Sequence, residues 1–388
     1  MRRLLGWLLR KIFGWLQGSF HSTLHSPRTA VVVGRLLGVA FLTCFVTGLY
    51  SHFLQDPLPW QPVLARPTWL YRLSQGTHVT TGVACIPLLL AKLWTVYPKL
   101  FSWPVVTGVK SALERASIAL FVASSVLELA MGLLNVYKWY PWPFSFRQVH
   151  FWLAWVIVGS LVIHIGVKLP LIHAHWRASR PVNDVERESL TSRRGFVGAI
   201  AAAAAVLTVT TIGQSIPALG PVDLFAPRRP GLGPNALPVN RTAAEANIHA
   251  AATNPSWALK VINQNLTHSF TLAQLRAMPQ TEVVLPIACV EGWSQNARWR
   301  GVRVRELLAL VGAGPRQGAE VRSLETNGAY AGAQVPPEYA WDELTLIALD
   351  VNSAPLDLEH GYPARLIAPN RPGVLQTKWL ASLEVRQR

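Results

Sequence analysis

The chain has 388 residues, 51% of them hydrophobic and only 14% charged, with a mean hydropathy of +0.26. That balance excludes an ordinary soluble enzyme, and the excess of 36 Lys+Arg over 20 Asp+Glu is unevenly spread. Residues 1–220 hold 20 basic and 6 acidic side chains, whereas residues 221–388 hold 16 and 14. A basic, Trp-rich, apolar front half ahead of a nearly neutral back half predicts a membrane domain joined to an extramembranous one. Nucleic acid is excluded as a partner, because the basic excess sits in apolar sequence.

Residues 1–29 open with Arg2, Arg3, Arg10 and Lys11 among Leu, Trp and Phe. They predict a basic amphipathic helix lying on membrane lipid. Five apolar stretches then approach the ~20 residues that cross a bilayer. They run from Ala30 to Leu54, Gly76 to Val96, Arg115 to Val136, Val149 to Leu169 and Gly195 to Ile216. One set of connections carries Arg28, Lys99, Lys110, Arg115, Arg177, Arg180, Arg187, Arg193 and Arg194. The other set carries only Arg66, Arg72, Lys138 and Arg147. The positive-inside rule therefore expects a multi-pass protein of the cytoplasmic membrane, its N-terminus inside and its C-terminal half outside. The fifth stretch opens Thr191-Ser192-Arg193-Arg194-Gly195-Phe196, which resembles a twin-arginine export signal and implies the export machinery as a partner. The same two arginines also serve as ordinary positive-inside residues.

Ionisable groups inside membrane spans are costly and mark function. His78 and Lys92 are fourteen residues apart in the second stretch, as are His150 and His164 in the fourth. Fourteen residues turn a helix through about 1400°, about 40° short of four turns, and rise about 21 Å. Each pair thus shares a helix face, and because both helices run outside to inside, His78 and His150 are expected at one depth. Two facing histidines can clamp a b-type haem, and quinone or quinol becomes the expected membrane partner. A second haem at the inner level would use His164, although Lys92 stands where its partner histidine is expected. His52 is a spare candidate for the outer level. Glu128 could carry protons, hydrogen-bond a quinol or pair with Lys92. The alternative throughout is histidines that hydrogen-bond across the helix interface.

Residues 217–238 read as a Pro/Gly linker. Beyond them, β segments are expected at Ala258–Asn263, Glu282–Cys289, Glu320–Glu325, Leu344–Val351, Ala364–Ala368 and Leu380–Val385, with one helix at Val304–Val311. Residues 239–388 thus make one α+β, mostly β domain behind a five-helix transmembrane bundle. Cys44 and Cys85 lie in apolar runs, and Cys289 is alone in the back half. A lone thiol is either a small buried apolar side chain or a reactive or ligating group.

The run Cys289-Val290-Glu291-Gly292-Trp293-Ser294 is followed by Trp299-Arg300-Gly301-Val302. His360-Gly361-Tyr362-Pro363-Ala364-Arg365-Leu366, Pro369-Asn370-Arg371-Pro372-Gly373 and Thr377-Lys378-Trp379-Leu380 close the chain, and Leu237-Pro238-Val239-Asn240-Arg241-Thr242-Ala243 precedes them. Together they resemble the molybdopterin-binding domain of the sulfite oxidase fold, nearest its periplasmic methionine-sulfoxide-reductase-like branch. The front half is similar to the haem-bearing membrane region fused to such domains. The resemblance implies molybdenum ligated by Cys289, a pterin phosphate held by Arg365 and Lys378, and pterin contacts from Asn240, His360 and, more remotely, Thr326 and Tyr330. Glu291 would stand near the metal as a proton relay, and Trp293 is either core or a wall of the active site. Gly361 and Gly373 would let backbone approach the cofactor. Sulfite oxidases carry an arginine-bearing segment after the cysteine; here Val290, Glu291, Gly292 and Trp293 follow, and an acidic side chain there should repel sulfite. The expected activity is therefore reduction of a small S-oxide or N-oxide, with electrons passing from quinol through haem b to molybdopterin. The same cofactors run backwards would oxidise a small substrate and reduce quinone. A haem electron-transfer or sensing protein without catalysis and a purely structural membrane anchor are the remaining alternatives.

Overall fold

The computed structural model describes residues 2–18, 22–58, 60–100, 103–104, 106–176, 184–212 and 216–386. Arg177 and Arg180, counted above in the orientation argument, lie outside the described residues, as do residues 213–215 of the fifth apolar stretch. The chain divides into two compact units, Met1–Val46 with His78–Val209 and Thr47–Thr77 with Thr210–Arg388.

The first unit is helical. Its opening helix α1 (Arg2–Gly18) exposes Trp7, Leu8, Ile12 and Trp15, the apolar face expected of a surface-lying helix. Among the described residues five further helices are long and apolar enough to cross a membrane. These are α2 (Pro27–Gln55), α3 (Leu70–Leu100), α4 (Val109–Val136), α5 (Phe146–Ala174) and α6 (Asp184–Ile212). Each extends beyond its apolar run at one or both ends, because polar flanking residues continue the hydrogen-bond ladder into the interface. Val33 of α2, Leu88 and Ala91 of α3 and Ile200 of α6 form one buried cluster, so small and branched side chains bring these three helices together. Arg193 and Arg194 sit in the third turn of α6.

The second unit joins the end of α2 and the first turns of α3, within Thr47–Thr77, to the C-terminal domain. Its short helices are α7 (His249–Ala252), α8 (Leu272–Ala277), α9 (Val304–Leu310) and α10 (Pro337–Ala340). Its strands are β1 (Ala258–Asn263), β2 (Leu266–Thr271), β3 (Thr281–Ala288), β4 (Ser294–Arg303), β5 (Gly318–Ser323), β6 (Gly332–Val335), β7 (Leu346–Val351), β8 (Ala354–Pro355), β9 (Arg365–Ile367) and β10 (Leu380–Arg386). One sheet has the order β2-β1-β10-β5-β6, with β1 and β10 parallel; the other runs β3-β4-β7-β8, with β9 also on β7. Leu259, Val302, Leu307, Leu349, Leu366 and Leu383 anchor one core cluster. Leu237, Leu285, Trp299, Ala348 and Ile367 anchor the other. Fully burying one such large side chain contributes about 1.5–3 kcal/mol.

The stretch 217–238 is not uniformly featureless. Asp223 and Leu237 are buried, and Asn235 caps the turn at 357–360 by accepting from the Asp357 N–H at 2.7 Å. Residues 66–75 are likewise fastened to the β domain. Arg66 makes a two-pronged ion pair with Asp342 at 3.0 Å, and Arg72 donates to Asn296 at 2.9 Å.

Candidate active site

The hairpin between β3 and β4 presents Cys289. Ala288 pairs with Ser294, the Cys289 N–H donates to the Trp293 carbonyl at 2.8 Å, and Gly292 turns the chain at φ +92°. A side chain at that φ is strained, so the glycine permits the tight loop. Cys289 is 1% exposed. Its sulfur accepts from Asn240 Nδ2 at 2.7 Å and from the Glu291 N–H at 3.4 Å. Burial and the nearby Glu291 carboxylate push the thiol up, against the lowering pull of those donors and of Arg228. The free thiol is therefore protonated, and ligation to a metal would be what removes its proton.

Glu291 does not stand beside the cysteine as a lone negative charge. Its carboxylate meets Arg228 Nη2 at 2.8 Å, with both side chains largely buried. The expectation of an acidic group repelling sulfite is corrected accordingly: the pair is neutral overall. Arg228 comes from the stretch read as linker. No local signal marks it, because the partner lies 63 positions away along the chain.

At the start of β9 and on the turns flanking it, Arg365, His360 and Lys378 gather, with no carboxylate at ion-pair distance among the described residues. Arg365 is 2% exposed; Nη1 donates to the His360 carbonyl at 3.0 Å and Nη2 to the Gln376 carbonyl at 3.1 Å. Lys378 Nζ donates to the carbonyls of Arg241 (2.6 Å) and Glu359 (2.8 Å). His360 Nε2 lies 3.2 Å from the Leu237 carbonyl. Among the described residues neither Arg365 nor Lys378 reaches a carboxylate at ion-pair distance. Burial drives Arg365 down to about 9. Burial, then Arg365, brings Lys378 to about 7. Burial, then Arg365 and Lys378, brings His360 to about 4. Depressions of this kind mark cations that lack a counter-ion.

Two glycines make room. A Cβ on Gly361, at φ +107°, would lie 3.1 Å from the Cβ atoms of both Arg365 and Lys378. A Cβ on Gly373 would lie 2.9 Å from the Ala288 carbonyl oxygen, where Pro372 bridges Ala288. The Pro369–Gly373 turn is thus held against β3 at Ala288, the residue before Cys289. Buried Arg365 Nε, Gln376 Oε1, Thr377 Oγ1 and Trp293 Nε1 have no hydrogen-bond partner among the described residues. Such orphans are costly unless a ligand satisfies them.

Thr326 is exposed on the loop after β5. Tyr330 donates to Gln55 Oε1 at 3.3 Å. Glu325, Tyr71 and Gln75 escaped sequence reasoning. Glu325 binds Arg241 at 2.5 Å and acts electrostatically on Lys378, while Gln75 donates to the Val290 carbonyl at 3.1 Å.

In the helical unit the His78 and His150 rings stand 6.2 Å apart at 84°. His78 Nδ1 lies 2.8 Å from the Cys44 carbonyl, and His150 Nδ1 lies 3.2 Å from Glu128 Oε1. Glu128 is therefore seated at His150 and not at Lys92, whose ammonium donates to the Ala30 carbonyl at 2.7 Å. His164 stacks on Phe121 with ring centroids 5.7 Å apart. His52 sits edge-on to Phe53.

Residues 246–388 match the family model described as an oxidoreductase molybdopterin binding domain. A candidate protein-methionine-sulfoxide reductase subunit, YedZ1 of Azospira oryzae, is 29% identical over 30% of this chain and 44% of its own. The mitochondrial sulfite oxidase of Drosophila melanogaster is 28% identical over 39% of this chain and 29% of its own. An uncharacterized oxidoreductase of Bacillus subtilis, YuiH, is 28% identical over 33% of this chain and 64% of its own. The chain thus spans less than half the length of the first two relatives. Its C-terminal region, residues 246–388, thus resembles molybdopterin-binding oxidoreductase domains, and five long apolar helices precede it.

Proposed function

We propose that this protein is a membrane-anchored molybdenum oxidoreductase that takes electrons from quinol and removes oxygen from a small S-oxide or N-oxide. The observation that carries the reading is the buried Cys289 sulfur in one unit with buried Arg365 and part-buried Lys378, which among the described residues hydrogen-bond to backbone carbonyls and reach no carboxylate at ion-pair distance.

The residues fit a pterin cofactor. Cys289 would ligate the metal, and Asn240 would steady the sulfur through its amide. Arg365 offers a planar donor fork for a phosphate, with its Nε still unpartnered, and Lys378 offers an ammonium. Thr377 Oγ1 and Gln376 Oε1 supply a further buried hydroxyl and amide oxygen. Gly361 and Gly373 keep side chains out of the space beside them. When bound, molybdenum supplies two-electron exchange of an oxygen atom. The protein's own part is to hold the sulfur, balance the phosphate charge and exclude water through the burial of Cys289 and Trp293.

His78 and His150 fit a b-type haem, because each Nδ1 lies within 3.2 Å of a protein oxygen, which would leave Nε2 as the ligating nitrogen. Bound haem supplies one-electron carriage between quinol and the outer domain. The neutral Arg228–Glu291 pair favours an uncharged substrate over an anion. The relative described as a methionine-sulfoxide reductase subunit supports the same direction.

Sulfite oxidation is the second reading, favoured by Arg228 lying within electrostatic range of Cys289. Both readings are tested on the purified full-length chain by metal analysis, a visible spectrum and anaerobic titration with S-oxides and with sulfite. Molybdenum, a Soret band and reoxidation by S-oxide are expected. A fully loaded preparation without molybdenum overturns the proposal, and turnover of sulfite alone selects the second reading.

A further inference from the structure

The first turns of α3 lie in the same compact unit as the β domain and reach the hairpin that carries Cys289. Tyr71 and Gln75 are four residues apart and share a helix face. Tyr71 is 1% exposed, and its N–H donates to Asn370 Oδ1 at 2.6 Å. Asn370 belongs to the turn whose Pro372 bridges Ala288, the residue before the cysteine. The Tyr71 hydroxyl lies 3.3 Å from Ser51 Oγ. Gln75 is 5% exposed and donates through Nε2 to the carbonyl of Val290, the residue after the cysteine. Its Oε1 is buried with no hydrogen-bond partner among the described residues.

Everything these two side chains offer is polar and uncharged. The charged member of the same turn, Arg72, bonds to Asn296 on an exposed edge. A hydroxyl can donate to the oxygen of an S-oxide or N-oxide. A buried amide oxygen repels an anion but accepts from a neutral donor. We infer that Tyr71 and Gln75, carried into the catalytic unit on the start of α3, form a neutral subsite beside Cys289 that selects uncharged oxo-substrates. This deepens the function proposed above and rests on it.

Two measurements on the full chain test the inference. With S-oxide as substrate, Tyr71→Phe removes one donor and should raise KM about tenfold, more than it lowers kcat. Gln75→Lys places a cation where the amide stood and should move the ratio of S-oxide to sulfite efficiency at least tenfold toward sulfite. Unchanged KM and an unchanged ratio overturn the subsite. The second measurement needs no turnover: mass-spectrometric mapping of Cys289 alkylation in cofactor-free protein. Tyr71→Ala and Gln75→Gly should speed alkylation at least tenfold, while Arg72→Ala should not. A sulfur that ignores both substitutions overturns the subsite even where S-oxide reduction is found. A sulfur that responds in a chain reducing no S-oxide keeps the wall, and overturns its use for oxo-substrates together with the proposed reaction.

Discussion

Asn240 donates its side-chain amide to the Cys289 sulfur at 2.7 Å, joining residues 49 positions apart. One hydrogen bond of this kind contributes about 0.5–1.5 kcal/mol, or up to about one pKa unit of the thiol. Asn240→Ala should therefore push the Cys289 thiol higher still in cofactor-free protein and reduce molybdenum loading. Ultraviolet titration of thiolate absorbance, with Cys44 and Cys85 replaced by Ser, reads the shift. A thiol that titrates unchanged would show that the amide bond does not tune the sulfur.

Lys378 links pH to folding. Its ammonium titrates near 7 in the folded protein and at 10.5 when unfolded, so between these values the unfolded state binds more protons. Stability of the cofactor-free protein should rise as pH climbs from about 7 toward 10.5. Lys378→Met should flatten that rise. A phosphate-bearing anion favours the charged amine and should be bound with proton uptake near pH 8. Thermal unfolding at pH 7.5 and 9.5, and calorimetry in buffers of different ionisation enthalpy, check the two parts.

His360 acts in a lower window. Its ring titrates near 4 when folded and at 6.5 when unfolded, so the unfolded state again takes up the extra proton. The contribution is complete above pH 6.5 and is lost as pH falls toward 4. His360→Asn should lessen the acid sensitivity of unfolding between those limits. Equal acid sensitivity in the two proteins would mean the histidine is not held neutral by Arg365 and Lys378.

Gly361 tests whether those cations are positioned or merely present. With φ at +107° and a Cβ only 3.1 Å from the side chains of Arg365 and Lys378, Gly361→Ala must both strain the turn and displace them. A cost of about 1–3 kcal/mol in stability is expected. Molybdenum content should fall with it, and Gly312→Ala, at φ +73° with open space around it, serves as the control for strain alone.

Much of this was legible along the chain. The apolar runs located all five spans, β1 begins and ends at Ala258 and Asn263 as expected, and the Cys289, His360 and Lys378 segments converge in one unit. Strand β2 escaped because it is an exposed edge with no alternation to read, and β4 because Ser, Gln, Asn and Arg dilute its buried Ala297 and Trp299. The Arg228–Glu291 pair and the Gln75 bond to Val290 escaped for another reason. Each joins segments that periodicity treats separately, and burial of the complementary charge or amide appears only once the chain is folded.

Glu128 gives the helical unit its sharpest test. Its carboxylate, 3.2 Å from His150 Nδ1, would strengthen that imidazole as an iron ligand and favour the oxidised metal. Glu128→Gln keeps the shape and removes the charge, so the midpoint potential of a bound b-type haem should rise. His78→Ala or His150→Ala should abolish the Soret band, because the two rings face each other at 6.2 Å. His164→Ala should preserve it if the ring stacked on Phe121 ligates no iron. A band lost in the His164 variant, but kept in either of the others, would move the haem to the inner level. It would also leave the His78–His150 pair as a structural contact between α3 and α5.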